Sequence, residues 1–313
     1  MSEKYLVTGG AGFIGSNMVE WLVHQKKKVC VLDNFSTGKR ENLAPFGSRI
    51  ELMEGDVVSA KDCSQAMNGV THVVHLAAQA SVVRSVEAPM ETHEINCTGT
   101  LQLLEAAREK KVKAFTLAST CAVYGQDATL PIEESSVPAP LSPYASSKLA
   151  AEEYVRLYQS LFGIPSVVFR LFNVYGPRQD PSSPYSGVIS AFADRLARKE
   201  QVTIYGDGQQ TRDFVFVKDV VRFFWLALQN PAKFSGPAYN VASSRQLSIL
   251  KLYEVLAALA GHTGSPQMAP PRAGEVRDSL GSVKRLQGVV GDSAIAQCTK
   301  FEEGIAETLQ AYK

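Results

Sequence analysis

Short apolar runs alternate with longer amphipathic stretches along the first half of the chain. Each run is almost continuously apolar, which predicts a strand that is buried on both faces. Strands of this kind that alternate with helices are typical of a parallel sheet covered on both sides. The predicted fold class is therefore α/β, a Rossmann-type doubly wound parallel sheet. The predicted strands are residues 5–7, 28–33, 49–53, 70–76, 112–117 and 166–171, and the two long predicted helices are 89–111 and 143–161.

The pattern changes after residue 172, where the elements become shorter and a Pro/Ser-rich loop runs to residue 185. We expect a first domain over residues 1–172, with a return segment at about 209–243, and a smaller, interleaved α/β lobe over 173–313. The elements predicted in this second part are strands at 202–205, 214–217 and 238–241 and helices at 219–229 and 248–261.

Three glycines follow the first strand at a spacing of three residues: Gly9, Gly12 and Gly15. In a strand–turn–helix context, the first glycine permits a tight turn and the second lets backbone N–H groups approach a pyrophosphate. The third lets the helix pack closely on the strand, and the first helical turn offers unpaired N–H donors to phosphates. The spacing indicates a dinucleotide-binding loop.

An acidic residue, Asp33, ends the second strand about 20 residues beyond the glycines, where a carboxylate can bind the adenosine ribose hydroxyls. A carboxylate at this place would repel a 2′-phosphate, so NAD is the favoured cofactor and residues 1–172 are predicted to be its binding domain. Lys39 and Arg40 follow closely, which leaves NADP open as the alternative. Other strands end at Asp56, at Ala77 and at Ser119–Thr120, and the ends of parallel strands line one ligand crevice.

Composition and charge narrow the class of protein. The chain has 313 residues, of which 45% are hydrophobic and 20% charged, enough for a sizeable core. A net charge of +1 gives no reason to expect a nucleic-acid or membrane-surface partner. The first strand begins soon after Met1, and no apolar run is long enough to cross a bilayer, so we expect a cytoplasmic protein. Five scattered cysteines predict reduced thiols and no metal site.

Tyr144 and Lys148 lie four residues apart on a predicted helix whose N-cap is Ser142, so their side chains share one face. A nearby ammonium and an oxidised nicotinamide both favour a phenolate and draw the tyrosine pKa down from about 10. Thr120 or Ser119 can bind the same substrate hydroxyl. These residues predict a site for proton abstraction coupled to hydride transfer. The alternative is an ordinary surface pair on a helix.

With these residues the chain resembles the extended short-chain dehydrogenases/reductases, in particular the nucleotide-sugar epimerase/dehydratase group. It is most similar to the UDP-glucose 4-epimerases. The resemblance extends over nearly the whole chain. It is carried by Thr8–Gly15, Asp33-Asn34, the segment 75–78, Asn96, residues 123–125, Tyr144-x-x-x-Lys148, residues 170–177, 206–208 and 212–219.

The resemblance implies roles for residues around both ligands. Asn173, Arg212 and Arg272 would bind the diphosphate, with Arg178 on the nucleotide side and Ser81 and Arg84 at the sugar end. From the residues alone, either Arg212 or Arg272 can instead be a structural ion pair. The expected cofactor contacts are Gly9, Gly12, Phe13, Ile14, Asp33, Asn34, Ser36, Thr37, Gly38, Asp56, Val57, Leu76, Ala77, Ala78, Gln79, Asn96, Tyr144 and Lys148. The expected substrate contacts are Ser81, Arg84, Thr120, Tyr144, Asn173, Val188, Tyr205, Arg212, Arg272 and Ser279.

The residues after Thr120 separate the reactions known in this group. Similar dehydratases carry an Asp-Glu pair there and related decarboxylases keep a glutamate, whereas this chain has Cys121-Ala122. Neither residue supplies the second proton transfer that elimination needs, so the resemblance implies reversible oxidation at the sugar C4, a 4-epimerase. A dehydratase, a decarboxylase, a 4-reductase and a non-catalytic NAD-binding protein remain as alternatives.

One further position in the family pattern faces the sugar 2-substituent, where small residues admit N-acetylhexosamines. The alignment that starts at residue 272 places Ser279 there, and a shift of one residue would place Asp278 there instead. Ser282 replaces an aspartate that the family usually has. The resemblance thus implies interconversion of UDP-GlcNAc and UDP-GalNAc, with UDP-Glc and UDP-Gal also accepted. It also implies a homodimer through helices 89–111 and 143–161, although packing against the chain's own sheet would give the same apolar pattern.

Overall fold

A computed structural model describes residues 3–181, 187–271 and 276–312 and divides the chain into two compact units. The first unit contains Met1–Gly125, Pro138–Arg170 and Val221–Tyr239. The second unit contains Gln126–Val137, Leu171–Val220 and Asn240–Lys313. The assignment of residues 1–172 to the cofactor and of 173–313 to the substrate stays a prediction.

Strands and helices alternate along the first half of the described chain, as the apolar pattern predicts. The strands are β1 Lys4–Thr8, β2 Lys28–Asp33, β3 Ile50–Glu54, β4 His72–His75, β5 Ala114–Thr120, β6 Ser166–Leu171, β7 Asn173–Tyr175, β8 Thr203–Tyr205, β9 Thr211–Arg212, β10 Phe214–Phe216, β11 Tyr239–Val241, β12 Leu247–Ser248 and β13 Gln267–Ala269. The α-helices are α1 Phe13–His24, α2 Ala60–Ala66, α3 Val82–Glu87, α4 Pro89–His93, α5 Gly99–Lys110, α6 Pro143–Phe162, α7 Val188–Ala197, α8 Val217–Gln229, α9 Ile249–Ala260, α10 Lys284–Val290, α11 Asp292–Ala296 and α12 Phe301–Gln310.

The main sheet has seven strands in the order β11-β6-β5-β4-β1-β2-β3. β1 pairs in parallel with β2 and with β4, and β2–β3 and β4–β5 are parallel too. Between this sheet and its helices lies a core of aliphatic residues with Phe115 among them. The predicted α/β Rossmann-type sheet is thereby confirmed. β5 runs to Thr120 rather than ending at residue 117, because Ala118, Ser119 and Thr120 keep extended backbone.

The helix predicted over residues 89–111 is not one regular α-helix. It consists of α4, a π-helical segment Glu94–Thr98, and α5. The Asn96 side chain in the π-helical segment hydrogen-bonds the backbone of Gln79 in both directions, at 2.8 and 2.9 Å. The Thr100 hydroxyl donates to the Asn96 carbonyl. Helical periodicity alone does not reveal a π turn, because the apolar spacing changes by only one residue.

The second long helix, α6, begins and ends at the residues that its sequence favours. Ser142 accepts a hydrogen bond from the backbone N–H of Ala145, which confirms the predicted N-cap, and Pro143 occupies the first turn. Gly163 ends the helix in the left-handed conformation, with φ of 69°. These signals fix α6 independently of its packing, so the positions of Tyr144 and Lys148 on it are well determined.

The second unit is built from small sheets and helices around a buried aspartate. β7 pairs with β10, β9 with β12, and β8 with β13. Asp213, fully buried between β9 and β10, accepts hydrogen bonds from Ser243 and from the backbone of Gly281. Burial raises the pKa of Asp213, while these hydrogen bonds oppose the rise. Within the described ranges no helix is both long and apolar enough to span a membrane.

His75, at the end of β4, joins β1, β4 and α5 and makes stability depend on pH. Its ring nitrogens bond the hydroxyls of Thr8 and Thr100 at 2.8 and 2.9 Å. Burial, followed by the charge of Lys148, lowers the pKa of His75 from 6.5 to about 3. Between these values the unfolded chain binds a proton at His75 that the folded chain does not, so stability falls as the pH drops below 6.5.

We therefore expect His75→Gln to make the free energy of unfolding less sensitive to acid. The limiting difference in slope is about 1.4 kcal/mol per pH unit. Urea unfolding at several pH values from neutral to moderately acid would measure it. His24→Gln, at an exposed histidine, is the matched control and should keep the slope of the parent chain. An unchanged slope in His75→Gln would contradict this account.

Candidate active site

Two of the three regularly spaced glycines at the β1–α1 junction have no room for a side chain. A Cβ atom on Gly9, whose φ is +67°, would lie 2.7 Å from the backbone nitrogen of Ala77. One on Gly15 would lie 2.0 Å from the Gly9 carbonyl oxygen. On Gly12 a Cβ would meet only that same oxygen, at 3.2 Å. Gly9 and Gly15 therefore allow close packing within the fold, whereas Gly12 leaves open space at the start of α1.

Asp33, at the end of β2, is tied directly to the glycine loop. Its two carboxylate oxygens accept backbone hydrogen bonds from Ala11 and Phe35, each at 2.8 Å. An ionised carboxylate has about four acceptor positions, so two remain for ribose hydroxyls. Gly38 packs against the same group, because a Cβ there would lie 2.8 Å from that of Ala11 and 2.9 Å from Asp33 Oδ1. The segment 36–38 thus folds onto the glycine loop.

Arg40, one of the two cations that kept NADP open, lies just after this segment. The Arg40 guanidinium forms an ion pair with Glu54 and stacks on the Phe35 ring at 3.9 Å from its centroid. It is therefore committed to groups of the protein. Together with the Asp33 carboxylate, this arrangement favours a ribose with a free 2′-hydroxyl.

The end of β3 leads to Asp56, which is joined to Asn34 across the loops. The Asn34 amide donates to Asp56 Oδ2 at 2.8 Å, and the other Asp56 oxygen accepts from the backbone of Val58. Val57 is buried against Gly99 at the start of α5. Asp56 is thus held beside Asn34, as its expected place at the adenosine end requires.

The end of β4 is drawn close to β1 by a threonine. The Thr8 hydroxyl accepts from the backbone N–H groups of Leu76 and Ala77, both at 3.2 Å. Further on, Asn96 connects the backbone of Gln79 to Ser147 Oγ, and Ser147 in turn donates to the Tyr144 carbonyl. Asn96 therefore links the 76–79 segment to the helix that carries Tyr144.

Tyr144 meets Thr120 rather than Ser119. Burial raises the pKa of the Tyr144 phenol to about 12, a hydrogen bond from Thr120 lowers it, and the nearby Cys121 thiol raises it. Ser119 points to the other face of β5, as successive strand residues must, and its hydroxyl donates to Glu152. The structure thus brings Thr120, not Ser119, to the phenol.

Lys148 lies one helical turn after Tyr144 and is only 3% exposed. Burial lowers the pKa of its ammonium from 10.5 to about 8, and the Glu152 carboxylate opposes that shift. The side chain is therefore mostly charged at neutral pH. A charged Lys148 favours the phenolate form of Tyr144, and an unprotonated one does not.

Two residues expected at the sugar end make other contacts. Ser81 caps α3 by accepting from the backbone of Arg84 at 3.0 Å. The Arg84 guanidinium pairs at the surface with Glu91, at 2.7 Å, and with Glu87, at 3.8 Å. The structure therefore gives Ser81 and Arg84 local roles around α3, and their binding to a sugar stays a prediction.

The second unit contains a cavity of about 580 Å³ that collects several of the expected substrate residues. Its wall carries hydrogen-bonding groups and three arginines, two of which pair with the acidic residues Asp194 and Glu200 of the same wall. Arg212 is held by its bonds to the carbonyls of Thr211 and Arg277, at 2.8 and 3.1 Å. The expected substrate residues in this wall are Asn173, Val188, Tyr205 and Arg212, and the other arginines are Arg195 and Arg198.

The proposed specificity position, Ser279, is 7% exposed and lies beside β9, where its backbone N–H donates to the Thr211 carbonyl at 3.2 Å. The alternative residue at this position, Asp278, accepts from the Thr211 hydroxyl at 2.7 Å. One of its carboxylate oxygens is therefore directed towards β9. Arg272 lies outside the described residues. Arg178 has a left-handed backbone, with φ of 68°.

Known proteins are similar to this chain over nearly its whole length. The sequence pattern of the NAD dependent epimerase/dehydratase family matches residues 5–242. The chain belongs to this family. The UDP-glucose 4-epimerase of Mycolicibacterium smegmatis is 38% identical over 315 residues, which cover 99% of this chain and 98% of that protein. Bovine dTDP-D-glucose 4,6-dehydratase is 34% identical over 271 residues, 84% of this chain and 75% of that protein.

Solved structures of family members are similar over the whole chain. Thermus thermophilus UDP-glucose 4-epimerase, solved with NAD, has a TM-score of 0.86 and 39% identity, with 99% of this chain and 98% of that chain covered. The UDP-N-acetylglucosamine 4-epimerase of Methanobrevibacter ruminantium, in complex with UDP-N-acetylmuramic acid, has a TM-score of 0.92 and 33% identity, with 100% and 99% covered. Family and relatives together identify an NAD-dependent nucleotide-sugar epimerase without specifying its sugar.

The residues of the first unit fit the NAD of this family. Open space at Gly12, in front of the free N–H groups of α1, suits a pyrophosphate, and the unused acceptor positions of Asp33 suit the adenosine ribose. Among the described residues, His, Cys, Asp and Glu side chains form no group of three that could hold a metal ion.

The sequence alone did not predict the roles of two buried carboxylates that organise contacts near the expected site residues. Glu152 contacts Ser119 and Arg170 in the first unit, and Asp213 joins three segments of the second. Glu152 had a signal in the sequence, because it lies four residues after Lys148 and so on the same face of α6. Asp213 had none beyond its place after Arg212, because its partners are remote in sequence.

We expect Gly12→Ala to fold normally but to lose NAD, because its methyl group meets little protein and occupies the open space at α1. The drop in NAD affinity should be about tenfold or more, by isothermal titration on protein stripped of cofactor. Gly15→Ala is the contrasting variant, since its Cβ overlaps the Gly9 carbonyl and should lower the unfolding temperature itself. Full NAD affinity in Gly12→Ala would show that the pyrophosphate lies elsewhere.

Proposed function

We propose that this protein is a 4-epimerase of UDP-hexoses, which interconverts UDP-GlcNAc and UDP-GalNAc and also UDP-Glc and UDP-Gal. One observation carries the proposal. Tyr144, with Thr120 bonded to its phenol and Lys148 one turn away, forms a complete acid–base group, and the residues that follow Thr120 are Cys121 and Ala122. This group suits oxidation and reduction at a sugar hydroxyl, and the two positions after Thr120 offer no carboxyl group for elimination.

In the proposed reaction, bound NAD accepts a hydride from the sugar C4 and returns it to the opposite face. Tyr144 removes the proton of the 4-hydroxyl in the first half and gives it back in the second. Thr120 donates a hydrogen bond to the phenolate and orients it. Lys148 lowers the cost of the phenolate through its positive charge. The 4-keto sugar turns between the two halves, which the flexible diphosphate linkage permits.

Elimination is the main rival reaction, because dehydratases are relatives of this chain. It requires a second pair of groups near the sugar to take a proton and protonate the leaving hydroxyl. Cys121 has a thiol, a weaker acid than the carboxyl groups that similar dehydratases carry after this threonine, and the Ala122 side chain has no proton to exchange. A second reading, a non-catalytic NAD-binding protein, is disfavoured because Tyr144, Lys148 and Thr120 are all present.

The nucleotide end is assigned to the second unit. Its 580 Å³ cavity supplies Asn173 and Arg212 for the diphosphate and Tyr205 and Val188 for the nucleoside. Arg272 is assigned to the diphosphate by the family pattern alone. The guanidinium group binds phosphate oxygens in pairs, which suits a charged linkage better than a single ammonium does.

The choice of sugar rests on Ser279. Asp278 is engaged with Thr211, which supports the alignment that places Ser279 opposite the 2-substituent. A serine leaves room for an N-acetyl group there.

A homodimer is part of the proposal, because large apolar side chains near the predicted helices face solvent: Val83, Val86 and Met90 on α3 and α4, and Leu161 and Phe162 on α6.

The proposed reaction predicts product formation without added cofactor. Purified protein should convert UDP-GlcNAc to UDP-GalNAc and UDP-Glc to UDP-Gal, as followed by the anomeric proton signals in NMR spectra. Tyr144→Phe should reduce turnover by about 10²- to 10⁴-fold, the range for loss of a general acid–base group. Tyr154→Phe, on the same helix, is the matched control and should stay active. Activity retained in Tyr144→Phe would reject the proposal.

The assignment of Ser279 predicts a change in sugar preference. In Ser279→Tyr the ring should fill the room for the N-acetyl group, so UDP-GlcNAc turnover should fall at least about tenfold relative to that of UDP-Glc. Ser293→Tyr, at an exposed serine of α11, serves as the control. Equal loss for both sugars would mean that Ser279 does not face the 2-substituent.

A further inference from the structure

A buried ion pair lies behind the tyrosine–lysine pair of the first unit. Glu152, on α6, is 4% exposed, and Arg170, on β6, is 7% exposed. The arginine Nη2 donates to Glu152 Oε2 at 2.7 Å, and its Nε lies 3.1 Å from each carboxylate oxygen. This geometry uses both oxygens and both donors, which is the strong form of such a pair.

The same carboxylate reaches two parts of the acid–base site. Glu152 Oε1 accepts from the hydroxyl of Ser119, the residue before Thr120 on β5. Glu152 also follows Lys148 by one turn of α6, so Tyr144, Lys148 and Glu152 form a row on one helix face. The Arg170 guanidinium stacks on the buried ring of Tyr124, in the turn that follows Thr120, at 4.8 Å from the ring centroid.

The charges in this region are unequal. Lys148 and Arg170 are both buried cations, whereas Glu152 is their one anionic neighbour among the contacts described. The group that faces Lys148 from β4, His75, is kept neutral at physiological pH by burial. The charge of Glu152 favours the ionised form of Lys148, whereas Arg170 acts on the carboxylate by fixing its position.

We propose that Glu152 is a positioning residue for the reaction: its carboxylate keeps Lys148 positively charged and, through Ser119, holds the strand end that presents Thr120 to Tyr144. This inference rests on the proposed role of Tyr144. The sequence of contacts explains why Ser119, although it faces away from the phenol, is polar and buried. It also explains why the ion pair lies at this place in the sheet.

Removal of the negative charge should change the pH range of activity. Burial lowers the pKa of Lys148 to about 8, and Glu152 opposes that shift. Without the carboxylate the lysine should lose its proton at a lower pH. The phenolate of Tyr144 then loses its cation within the working range. A purely structural role for Glu152 would reduce activity or stability without moving the alkaline limb of the pH profile, which is the fall in kcat at high pH.

The test compares the pH dependence of kcat in Glu152→Gln with that of the parent enzyme. The alkaline limb should move to lower pH by about one unit or more, so the loss of turnover should be severalfold larger at pH 8 than at pH 6. Glu153→Gln, at the adjacent exposed glutamate, is the matched control. Ser119→Ala should lower kcat without moving the alkaline limb. Glu152→Asp keeps the negative charge, so its alkaline limb should lie where that of the parent enzyme does.

Folding and the proposed function are tested separately. If Glu152→Gln does not fold because Arg170 is then buried without its counter-ion, the double variant Glu152→Gln/Arg170→Met removes both charges. The alkaline limb of its pH profile should still move to lower pH. A folded variant with the limb of the parent enzyme overturns the role of Glu152. If Tyr144→Phe is inactive while the Glu152 variant keeps the pH profile of the parent enzyme, the proposed function stands and only the role of Glu152 is rejected. If Tyr144→Phe is active, the proposed function itself is rejected.

Discussion

Lys148 carries its positive charge at a buried position in the first unit. Several of the surrounding groups either compensate for that charge or avoid adding to it. A buried ammonium is costly unless other groups replace its hydration. Glu152 supplies the opposite charge, and Arg170 then fixes the carboxylate with three hydrogen bonds. His75 stays neutral between two threonine hydroxyls and so adds no second cation on the β4 side. The chemistry of Tyr144 depends on this balance, because its phenol is itself raised in pKa by burial.

Much of this unit follows from local sequence. The glycine spacing, the carboxylate at the end of β2 and the four-residue interval from Tyr144 to Lys148 each specify a short piece of backbone, so pattern and structure agree there. Side chains whose partners are distant in sequence do not follow in this way. The pairing of Ser119 with Glu152 spans 33 residues, and that of Glu152 with Arg170 joins a helix to a strand. Arg84 shows the same limit, because its surface pairing with Glu91 is invisible to a family pattern.

In the second unit, the adjacent residues Arg212 and Asp213 have different structural positions. Arg212 lies in the cavity wall, where its guanidinium is held by carbonyl groups of the chain. Asp213 is fully buried and joins residues 243 and 281 to the end of β9. Arg212 is the residue proposed to bind the diphosphate, and Asp213 organises the backbone next to it. A sequence motif that contains both therefore combines a proposed binding group with a structural one.

The π-helical segment Glu94–Thr98 fixes how many residues this part of the chain must contain. Each residue of an α-helix advances the direction of the side chains by about 100°. Loss of one residue here would allow regular α-helical hydrogen bonding, but it would rotate α4 against α5 by that angle and carry Asn96 away from Gln79 and Ser147. Over the course of evolution, this segment can therefore exchange side chains far more freely than it can change its length.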